Sequence, residues 1–541
     1  MTEKTKGNLP AGWTHTTIAE LSLPTFTRNP QVSGQGNFAY IDIEAIDNLR
    51  QRIERPKRLQ NGAAPSRARN AVLPGDVIFS LVRPYLKNIA IIPSDLADAV
   101  ASTAFFVCRP GAGVDSRYIF NYFRQDAFIS SIVTYGNSPP SAHDDEFAQL
   151  VLPLPPAKEQ ERIADALDEL LSDLDAGVAA LERARGKLKL YRAAVLKAAV
   201  EGVLTSGWRK QHPHAEPASE LLKRTLIERR RRWEEEQLRK FEENGRDPPK
   251  NWKAKYKEPV PPATSDLPPL PEGWCWTSLD ALIVGGPQNG IYLHSEFYGR
   301  GVEILRIDDF QNGWSRPREE LKRVDADQDS ISSYALHLRD IVINRVNSMT
   351  HLGKCCLISD GLSGVLFESN MMRMETSEKI EARFVELYLH SEAGRRRLTK
   401  DAKWAVNQAS INQEDVKRTP VPLPPLTEQK ALIEATEVQL SVIEHLESDL
   451  TAKLISARVV RQSILRDAFS GKLVPQNQSD EPASQLLKQI AAEREQRLRE
   501  AAAAKLLSGR QPRRAAKTRS KVTRVKTTKK KEPEHGRISD R

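Results

Sequence analysis

The chain has 541 residues, of which 39% are hydrophobic and 6% aromatic, so it can build several domain cores. We find no apolar run long enough for a membrane span and no apolar secretory segment near residue 1, so we expect a cytosolic protein. The cysteines form no CxxC pair, so we expect them to be reduced and to serve neither zinc nor disulfide scaffolding. The net charge is +10, but residues 505–541 hold 14 of the 81 Lys and Arg and only 3 of the 71 Asp and Glu. The rest of the chain is therefore close to neutral, and any DNA-binding surface on it must be a local patch.

The elements predicted from the sequence follow in chain order. They are a globular region over 1–152, a long helix over 153–205, a helical and Pro-rich linker over 206–269, a second globular region over 270–421, a second long helix over 422–475, a terminal helix over 476–507 and a basic disordered tail over 508–541. The linker is expected to be stiff and extended.

This order contains an internal duplication. Four short blocks occur twice and in the same order: Leu9–Trp13 with Leu270–Trp274, 153–160 with 422–429, Gly202–Leu204 with Gly471–Leu473, and Glu216–Leu222 with Glu481–Leu487. The globular regions between the blocks have diverged much further. Similar scaffolds with dissimilar inserts indicate two sites of one kind that read different targets, although a duplication that serves stability alone stays open.

Each globular region mixes short apolar runs with turn residues. Val77–Phe79 and Ile341–Ile343 are predicted to be buried strands, and the segments 118–123 and 384–389 to be amphipathic helices. The predicted fold class is therefore α+β, with two mixed domains separated by an antiparallel coiled coil of two long helices.

The two long helices carry the coiled-coil prediction. Apolar residues recur at alternating spacings of four and three, a pattern typical of a seam between helices. We expect the two helices to pack on each other as a rod of roughly 60 Å, although docking of each seam on its own domain stays open. The predicted seam consists of Ile163, Leu167, Leu170, Leu174, Leu181, Leu188 and Val195 in the first helix, and Ile443, Leu446, Leu450, Val460 and Ile464 in the second.

Basic runs and polar side chains near the predicted strands are the candidate DNA contacts. Arg and Lys neutralise phosphates, and in the major groove Arg can pair with guanine and Asn with adenine. Each basic run could equally be a solvated surface. The candidates are Arg52, Arg55, Lys57, Arg58, Arg67, Arg69, Arg83, Tyr85, Lys87 and Asn137 in the first region, and Arg345, Asn347, Arg396, Lys400, Lys403, Asn407 and Gln408 in the second.

Searches for catalytic motifs find none in the sequence. It lacks a GxxxxGK[ST] phosphate loop, an Asn/Asp-Pro-Pro-aromatic methylation motif and a metal-binding histidine pair. His143 with Asp144 and Asp145 is one local group, which a surface loop explains. We therefore expect no catalytic, cofactor-binding or metal-binding residues, and a protein that reads a target for enzymes brought to it.

The duplicated LPxGW and PLPPxxEQ blocks, each pair enclosing a variable region before a long helix, resemble the specificity subunit of Type I restriction–modification systems. The resemblance covers residues 9–490, whereas the basic tail departs from the usual ending. It implies a cytoplasmic prokaryotic protein without catalysis, whose two target-recognition domains each read half of a bipartite, asymmetric site in double-stranded DNA.

The resemblance also implies partners. Two methyltransferase subunits would dock on the repeated scaffold and motor–nuclease subunits would join them, so S-adenosylmethionine, ATP and magnesium would bind to those partners. Two other hypotheses stay open, namely a coiled-coil scaffold that binds only protein and an enzyme that acts alone through an unrecognised motif.

Overall fold

A computed structural model of the chain describes residues 9–405 and 408–507, with side chains described up to residue 503. The chain divides into two compact units. Unit 1 is formed by residues 1–174 and 459–541, and unit 2 by residues 175–458. Unit 1 therefore combines the two ends of the chain. The predicted tail over 508–541 lies outside the described residues.

Unit 1 begins with an α+β domain and continues into the first long helix. Its elements are β1 (Thr14–Thr17), α1 (Ile18–Leu21), β2 (Phe26–Thr27), β3 (Asn37–Ile41), β4 (Ile46–Asp47), β5 (Arg52–Ile53), β6 (Lys57–Gln60), β7 (Ala68–Ala71), β8 (Val77–Ser80), β9 (Ile89–Ile91), β10 (Val100–Ser102), β11 (Phe105–Cys108), α2 (Ser116–Phe123), α3 (Asp126–Ser131), α4 (Asp144–Ala148), β12 (Val151–Leu154) and the start of α5 (Ala157–Val200).

Two main sheets form this domain. A five-stranded sheet has the order β2-β7-β10-β3-β6, and a three-stranded antiparallel sheet has the order β11-β8-β9. Strand β8 is buried at every position because it is the central strand of the smaller sheet. Asp76 before it is also buried, and its charge is balanced by Arg109, whose Nη2 lies 2.7 Å from Asp76 Oδ2.

Unit 2 repeats this organisation with different strand lengths. Its elements are the end of α5, α6 (Ser206–Gln211), α7 (Ala218–Glu243), β13 (Cys275–Ser278), α8 (Leu279–Leu282), β14 (Ile283–Asn289), β15 (Tyr298–Leu305), β16 (Phe310–Gln311), β17 (Trp314–Ser315), β18 (Lys322–Val324), α9 (Gln328–Tyr334), β19 (Asp340–Asn344), β20 (Val346–Asn347), β21 (Cys355–Leu357), β22 (Leu366–Phe367), β23 (Met371–Thr376), α10 (Ala382–His390), α11 (Glu392–Leu398), β24 (Lys403–Ala405), β25 (Gln408–Ser410), α12 (Gln413–Lys417), β26 (Pro420–Leu423) and the start of α13 (Leu426–Phe469).

The core of unit 2 surrounds an antiparallel sheet with the order β14-β23-β19-β21. Helix α10 packs on this sheet through buried residues that include Phe384 and Tyr388. Small sheets flank it, with the orders β18-β15-β22 and β20-β25-β24. Helices and strands are thus mixed in both units, and the α+β class predicted from the sequence is confirmed.

The duplicated blocks fold into the same frame in each unit. Strand β1 pairs antiparallel with β12, and β13 pairs in the same way with β26. The helix after each repeat also returns to this frame. Ala218 at the start of α7 donates its N–H to the carbonyl of Gly273 at 2.8 Å, and Ala483 at the start of α14 (Ala483–Leu507) donates to that of Gly12 at 2.9 Å. Corresponding backbone hydrogen bonds therefore join the same parts of the frame in both units.

The long helices pack on each other inside each unit. In unit 1 the beginning of α5 contacts the end of α13, through a cluster that contains Ile163, Leu167, Leu171, Leu465, Ala468 and Phe469. In unit 2 the end of α5 contacts the beginning of α13, through Val195, Leu196, Leu440 and Ile443. The beginning of one helix meets the end of the other both times, so the predicted antiparallel pairing is confirmed.

The seam differs from the predicted register at three positions. Leu170, Leu446 and Val460 are 40%, 43% and 43% exposed. The neighbouring Leu171 is buried instead of Leu170. Spacings of three or four residues allow either of two adjacent positions to face inward, and the position of the partner helix decides between them. The other predicted seam residues are buried or half-buried, namely Ile163, Leu167, Leu174, Leu181, Leu188, Val195, Ile443, Leu450 and Ile464.

The part of the linker around Trp252 is not the extended spacer expected from the prolines. Trp252 is only 8% exposed, and its ring stacks on that of Trp233 at a centroid distance of 5.9 Å. Phe241 meets the same ring edge-on at 6.2 Å. Burial of these aromatic side chains folds this part of the linker back against α7. None of the helices in the described ranges has the length and hydrophobicity needed to cross a bilayer.

Candidate nucleic-acid interface

A small sheet in unit 2 brings together candidates from two distant parts of the sequence. Asn347 in β20 pairs with Ala409 in β25, and Lys403 in β24 pairs with Ser410. All three residues of β24 are exposed, and so is Gln408 at the start of β25. Asn347 and Lys403 therefore lie in adjoining parts of one surface sheet. Asn407 lies outside the described residues.

Unit 1 has a corresponding arrangement after its buried strand β8. Val82 and Tyr135 both form bridges with Ser141. Arg83 donates its backbone N–H to the carbonyl of Pro140 at 2.9 Å, so the segment after β8 lies beside the 135–141 loop. The side chains of Arg83 and Asn137 are exposed there. Tyr85, two residues after Arg83, is 58% exposed.

Several candidates in the basic run of unit 1 are already paired with carboxylates. Arg52 Nη2 lies 2.6 Å from Glu54, Arg58 Nη1 lies 2.8 Å from Asp98, and Lys57 pairs with Asp42 and Glu44. Arg69 donates to Asn29 Oδ1 at 2.9 Å. Only Arg55 and Arg67 among these candidates are exposed without an ion pair to a described residue. The positive potential of this patch is therefore much weaker than its sequence indicates.

Three further candidates make hydrogen bonds within their own unit. Lys87 is half-buried and donates to the carbonyl of Arg124 at 2.9 Å. Arg345 donates to the carbonyl of Ser369 at 3.2 Å. Asn347 accepts a bond from the N–H of Ser348 at 2.8 Å through Oδ1, which leaves its amide nitrogen available. Of the three, Asn347 retains the clearest donor for a base.

The arginines of the basic run in helix α11 point to different sides of the helix. Arg395 Nε donates to the carbonyl of Leu352 at 3.0 Å, and the Arg397 guanidinium lies over the Trp276 ring at 5.0 Å from its centroid. Arg396 and Lys400 are exposed. Because helical neighbours point about 100° apart, only part of the run faces solvent.

Two exposed aromatic side chains were not among the predicted candidates. Trp404 in β24 is 73% exposed and follows Lys403 directly, and Tyr135 is 45% exposed. Tyr135 Oη donates to Glu146 Oε1 at 2.9 Å, and this bond raises the pKa of the phenol. For Trp404 the available signal was an aromatic residue directly after a lysine, because such rings contact bases and sugars.

The local group of His143, Asp144 and Asp145 begins helix α4. Burial raises the pKa of Asp144, and the His143 ring meets Tyr135 edge-on at 4.6 Å. All three residues are nevertheless exposed, so the group lies on the surface beside the 135–141 loop.

Comparison with known proteins finds a matching family model and similar proteins. A family model for the Type I restriction modification DNA specificity domain matches residues 13–182. The Type I restriction enzyme StySPI specificity subunit of Salmonella potsdam is 24% identical over 523 residues, covering 90% of this chain and 97% of that protein. The EcoKI specificity subunit of Escherichia coli strain K12 is 23% identical over 400 residues, covering 72% and 74%.

The fold also matches a solved structure. A chain from a study of complex assembly and conformational transition of the type I R-M system is 24% identical, with a TM-score of 0.56, and the match covers 86% of this chain and 100% of that chain. Its likeness concerns the fold. The family model over residues 13–182 and the relatives that match along most of their length show that the chain is similar to the specificity subunits of Type I restriction–modification systems.

Proposed function

We propose that each unit reads one half of a bipartite, asymmetric site in double-stranded DNA. This proposal rests on the segment that follows the buried strand of each unit. In both units this segment lies beside a loop or hairpin, and the side chains that it exposes differ between the two units. Unit 1 presents Arg83, Tyr85 and Asn137, whereas unit 2 presents Asn347, Lys403 and Gln408. Different donors and acceptors on the same local frame would select different bases in the major groove.

Within each surface the side chains take different roles. Arg83 and Asn347 follow rigid buried strands and offer the donor sets that suit guanine and adenine. Lys403, Arg396 and Lys400 are exposed cations and would bind phosphates, which sets the register of the protein on the duplex without reading sequence. The exposed ring of Trp404 would pack against sugars or bases at the edge of the groove.

The long helices α5 and α13 would set the gap between the two half-sites. Both helices have 44 residues and contribute to both units, and they pack on each other in each of them. Two methyltransferase subunits would dock on the repeated frame. Adenine methylation with S-adenosylmethionine would reside in those subunits, and ATP- and magnesium-dependent movement and cleavage in motor–nuclease subunits. The chain itself would carry no catalysis.

The decisive experiment maps methylated adenines in a host that carries this chain with its cognate methyltransferase. Residues 10–152 are replaced by the corresponding region of a relative that reads another sequence. We expect one half of the methylated motif to change while the other half and the gap stay the same. An unchanged motif would favour a scaffold that binds only protein.

A second experiment addresses the helices. One heptad is inserted into α5 near Leu181 together with one into α13 near Leu450, so that the seam is preserved. We expect unchanged half-motifs with a longer gap, and an unchanged gap would refute the spacing role. Turnover of labelled S-adenosylmethionine by the purified chain alone would instead favour an enzyme that acts independently.

A further inference from the structure

Three side chains of ligand type meet in the core of unit 2. Cys355 begins strand β21, and Glu386 and His390 lie one turn apart on helix α10. One ligand atom from each lies within 4.8 Å of the other two. Cys355 and Glu386 are fully buried, and the His390 side chain is only 16% exposed. Polar groups buried to this degree ordinarily have partners.

Two atoms of this cluster face each other directly. Glu386 Oε1 and His390 Nε2 lie 2.9 Å apart, an ion-pair distance, although their angles are not those of a hydrogen bond. The other carboxylate oxygen, Glu386 Oε2, accepts a bond from Arg383 Nη1 at 2.6 Å. That bond fixes the carboxylate so that Oε1 is directed at the histidine. Hydrogen bonds of this kind commonly orient the ligating carboxylates of protein-bound metals.

The space next to these atoms is kept open by a glycine. Gly313 has a φ of +85°, and a Cβ at this position would collide with Glu386 Oε1 and lie 3.2 Å from His390 Nε2. Glu386 and His390 also line a cavity of about 430 Å³ together with Gln311 and Trp314. The cluster therefore has room beside its ligand atoms and a connection to a larger cavity.

The repeated frame does not require these polar residues. Counting from Asp115 and Glu381, which precede the two corresponding helices, the equivalents of Glu386 and His390 in unit 1 are Phe120 and Arg124. The Arg124 guanidinium lies over the Phe120 ring at 5.2 Å. The equivalent of Cys355, the first residue of β9, is Ile89. The same helix–strand interface is thus built without a single cysteine, carboxylate or histidine at the three positions.

We propose that Cys355, Glu386 and His390 bind a zinc ion in unit 2, with a fourth coordination position facing the cavity. Sulfur, nitrogen and oxygen ligands in one set suit zinc, which binds such atoms at ~2.0–2.3 Å. A thiolate and a carboxylate balance the two charges of the ion. The bound ion cross-links β21 to α10, the helix that carries the core of this domain.

The test measures metal in the purified full-length chain. After incubation with zinc and removal of unbound metal, we expect about one zinc per chain by mass spectrometry. Cys355→Ser and His390→Gln should each lower the bound zinc at least ~5-fold. Cys356→Ser is the matched control, because Cys356 is the adjacent buried cysteine and directs its Sγ toward the carbonyl of Gly313 at 3.3 Å, and it should keep the metal.

Cobalt provides a readout that does not depend on the variants folding. The wild-type chain loaded with Co²⁺ should show the charge-transfer absorption of a cobalt–thiolate bond and the visible bands of a four-coordinate ion, and Cys356→Ser should show the same spectrum. A wild-type chain that takes up no zinc, or a cobalt spectrum without thiolate absorption, would overturn the proposal. Equal zinc content in Cys355→Ser and Cys356→Ser would overturn it as well.

Discussion

The indole of Trp13 donates from Nε1 to Glu159 Oε2 at 3.0 Å, and this bond joins the two ends of the first α+β domain. Unit 2 repeats it, with Trp274 donating to Glu428 Oε2 at 2.9 Å. The tryptophan comes from the block that opens each domain and the glutamate from the block that begins the long helix. The most recognisable residues of the duplication therefore close each domain onto its helix.

We expect Trp13→Phe to destabilise the protein by about 1–3 kcal/mol, because it leaves a buried carboxylate without one of its donors. Thermal and urea unfolding measure the change. Trp404→Phe is the control, since this ring is 73% exposed, and it should change stability by less than ~0.5 kcal/mol. Equal effects of the two substitutions would show that the Trp13–Glu159 bond contributes nothing.

The register of the helix seam is tested by two adjacent leucines. Leu171→Ala should cost about 2–4 kcal/mol of unfolding free energy because the side chain is 4% exposed and packs in the helix cluster. Leu170→Ala has the same chemistry and helix propensity, but its side chain is 40% exposed, so it should cost less than ~1 kcal/mol. The reverse order would support the register predicted from the sequence.

Glu159 should make stability depend on pH. Burial raises its pKa, and the nearby Asp480 adds to this, whereas bonds from Trp13 and Gln476 and the charge of Arg162 act in the opposite direction. The folded state therefore binds the proton of Glu159 more tightly than the unfolded state does. The contribution of this carboxyl group to the free energy of unfolding falls as the pH rises from near 4.5 through the raised pKa.

In Glu159→Gln the corresponding fall in unfolding free energy between pH 4.5 and 7 should be smaller than in the wild type. Glu161→Gln, an exposed neighbour on the same helix, serves as the control and should keep the wild-type slope. Parallel stability curves for all three proteins would show that Glu159 does not titrate as the buried contact requires.

The reading role proposed for Arg83 predicts a change confined to one half-site. Arg83→Ala should weaken binding by about 1–3 kcal/mol, or roughly 5- to 150-fold, and relax one base position of the methylated motif. Arg52→Ala is the matched control, because Arg52 already pairs with Glu54 at 2.6 Å. Binding assays and methylation mapping would contradict the role if both variants lost affinity without any change in sequence preference.

Lys403 should act on phosphate rather than on bases. We expect Lys403→Ala to weaken binding to all sequences alike and to reduce the slope of log affinity against log salt by about 1. Lys57→Ala should leave the slope unchanged because Lys57 already pairs with Asp42 and Glu44. A sequence-dependent loss in Lys403→Ala would instead assign this side chain to base reading.

The sequence predicted the parts of the fold that depend on local patterns. The predicted strands over Val77–Phe79 and Ile341–Ile343 correspond to β8 and β19, and the two glycines that follow the long helices have φ values of +69° and +71°. Apolar periodicity and glycines at helix ends depend on residues that are close together in the sequence. They can therefore be recognised from a single sequence.

Features that depend on distant contacts could not be predicted in this way. The choice of Leu171 over Leu170 depends on the partner helix, and the neutralisation of Arg58 depends on Asp98, forty residues away. The triad of Cys355, Glu386 and His390 was missed because the cysteine is thirty-one residues from the glutamate. A motif search for closely spaced histidines does not detect such a set.

The origin of unit 1 from both ends of the chain has a consequence for biosynthesis. Leu486 and Ile490 of α14 are buried in the core that residues of the domain over 9–154 form. Residues 175–458 are translated between that domain and α14, which at ~5–20 residues per second takes tens of seconds. During that interval the apolar surface that packs against α14 remains uncovered, so this domain is completed only after the domain of unit 2 has been synthesised.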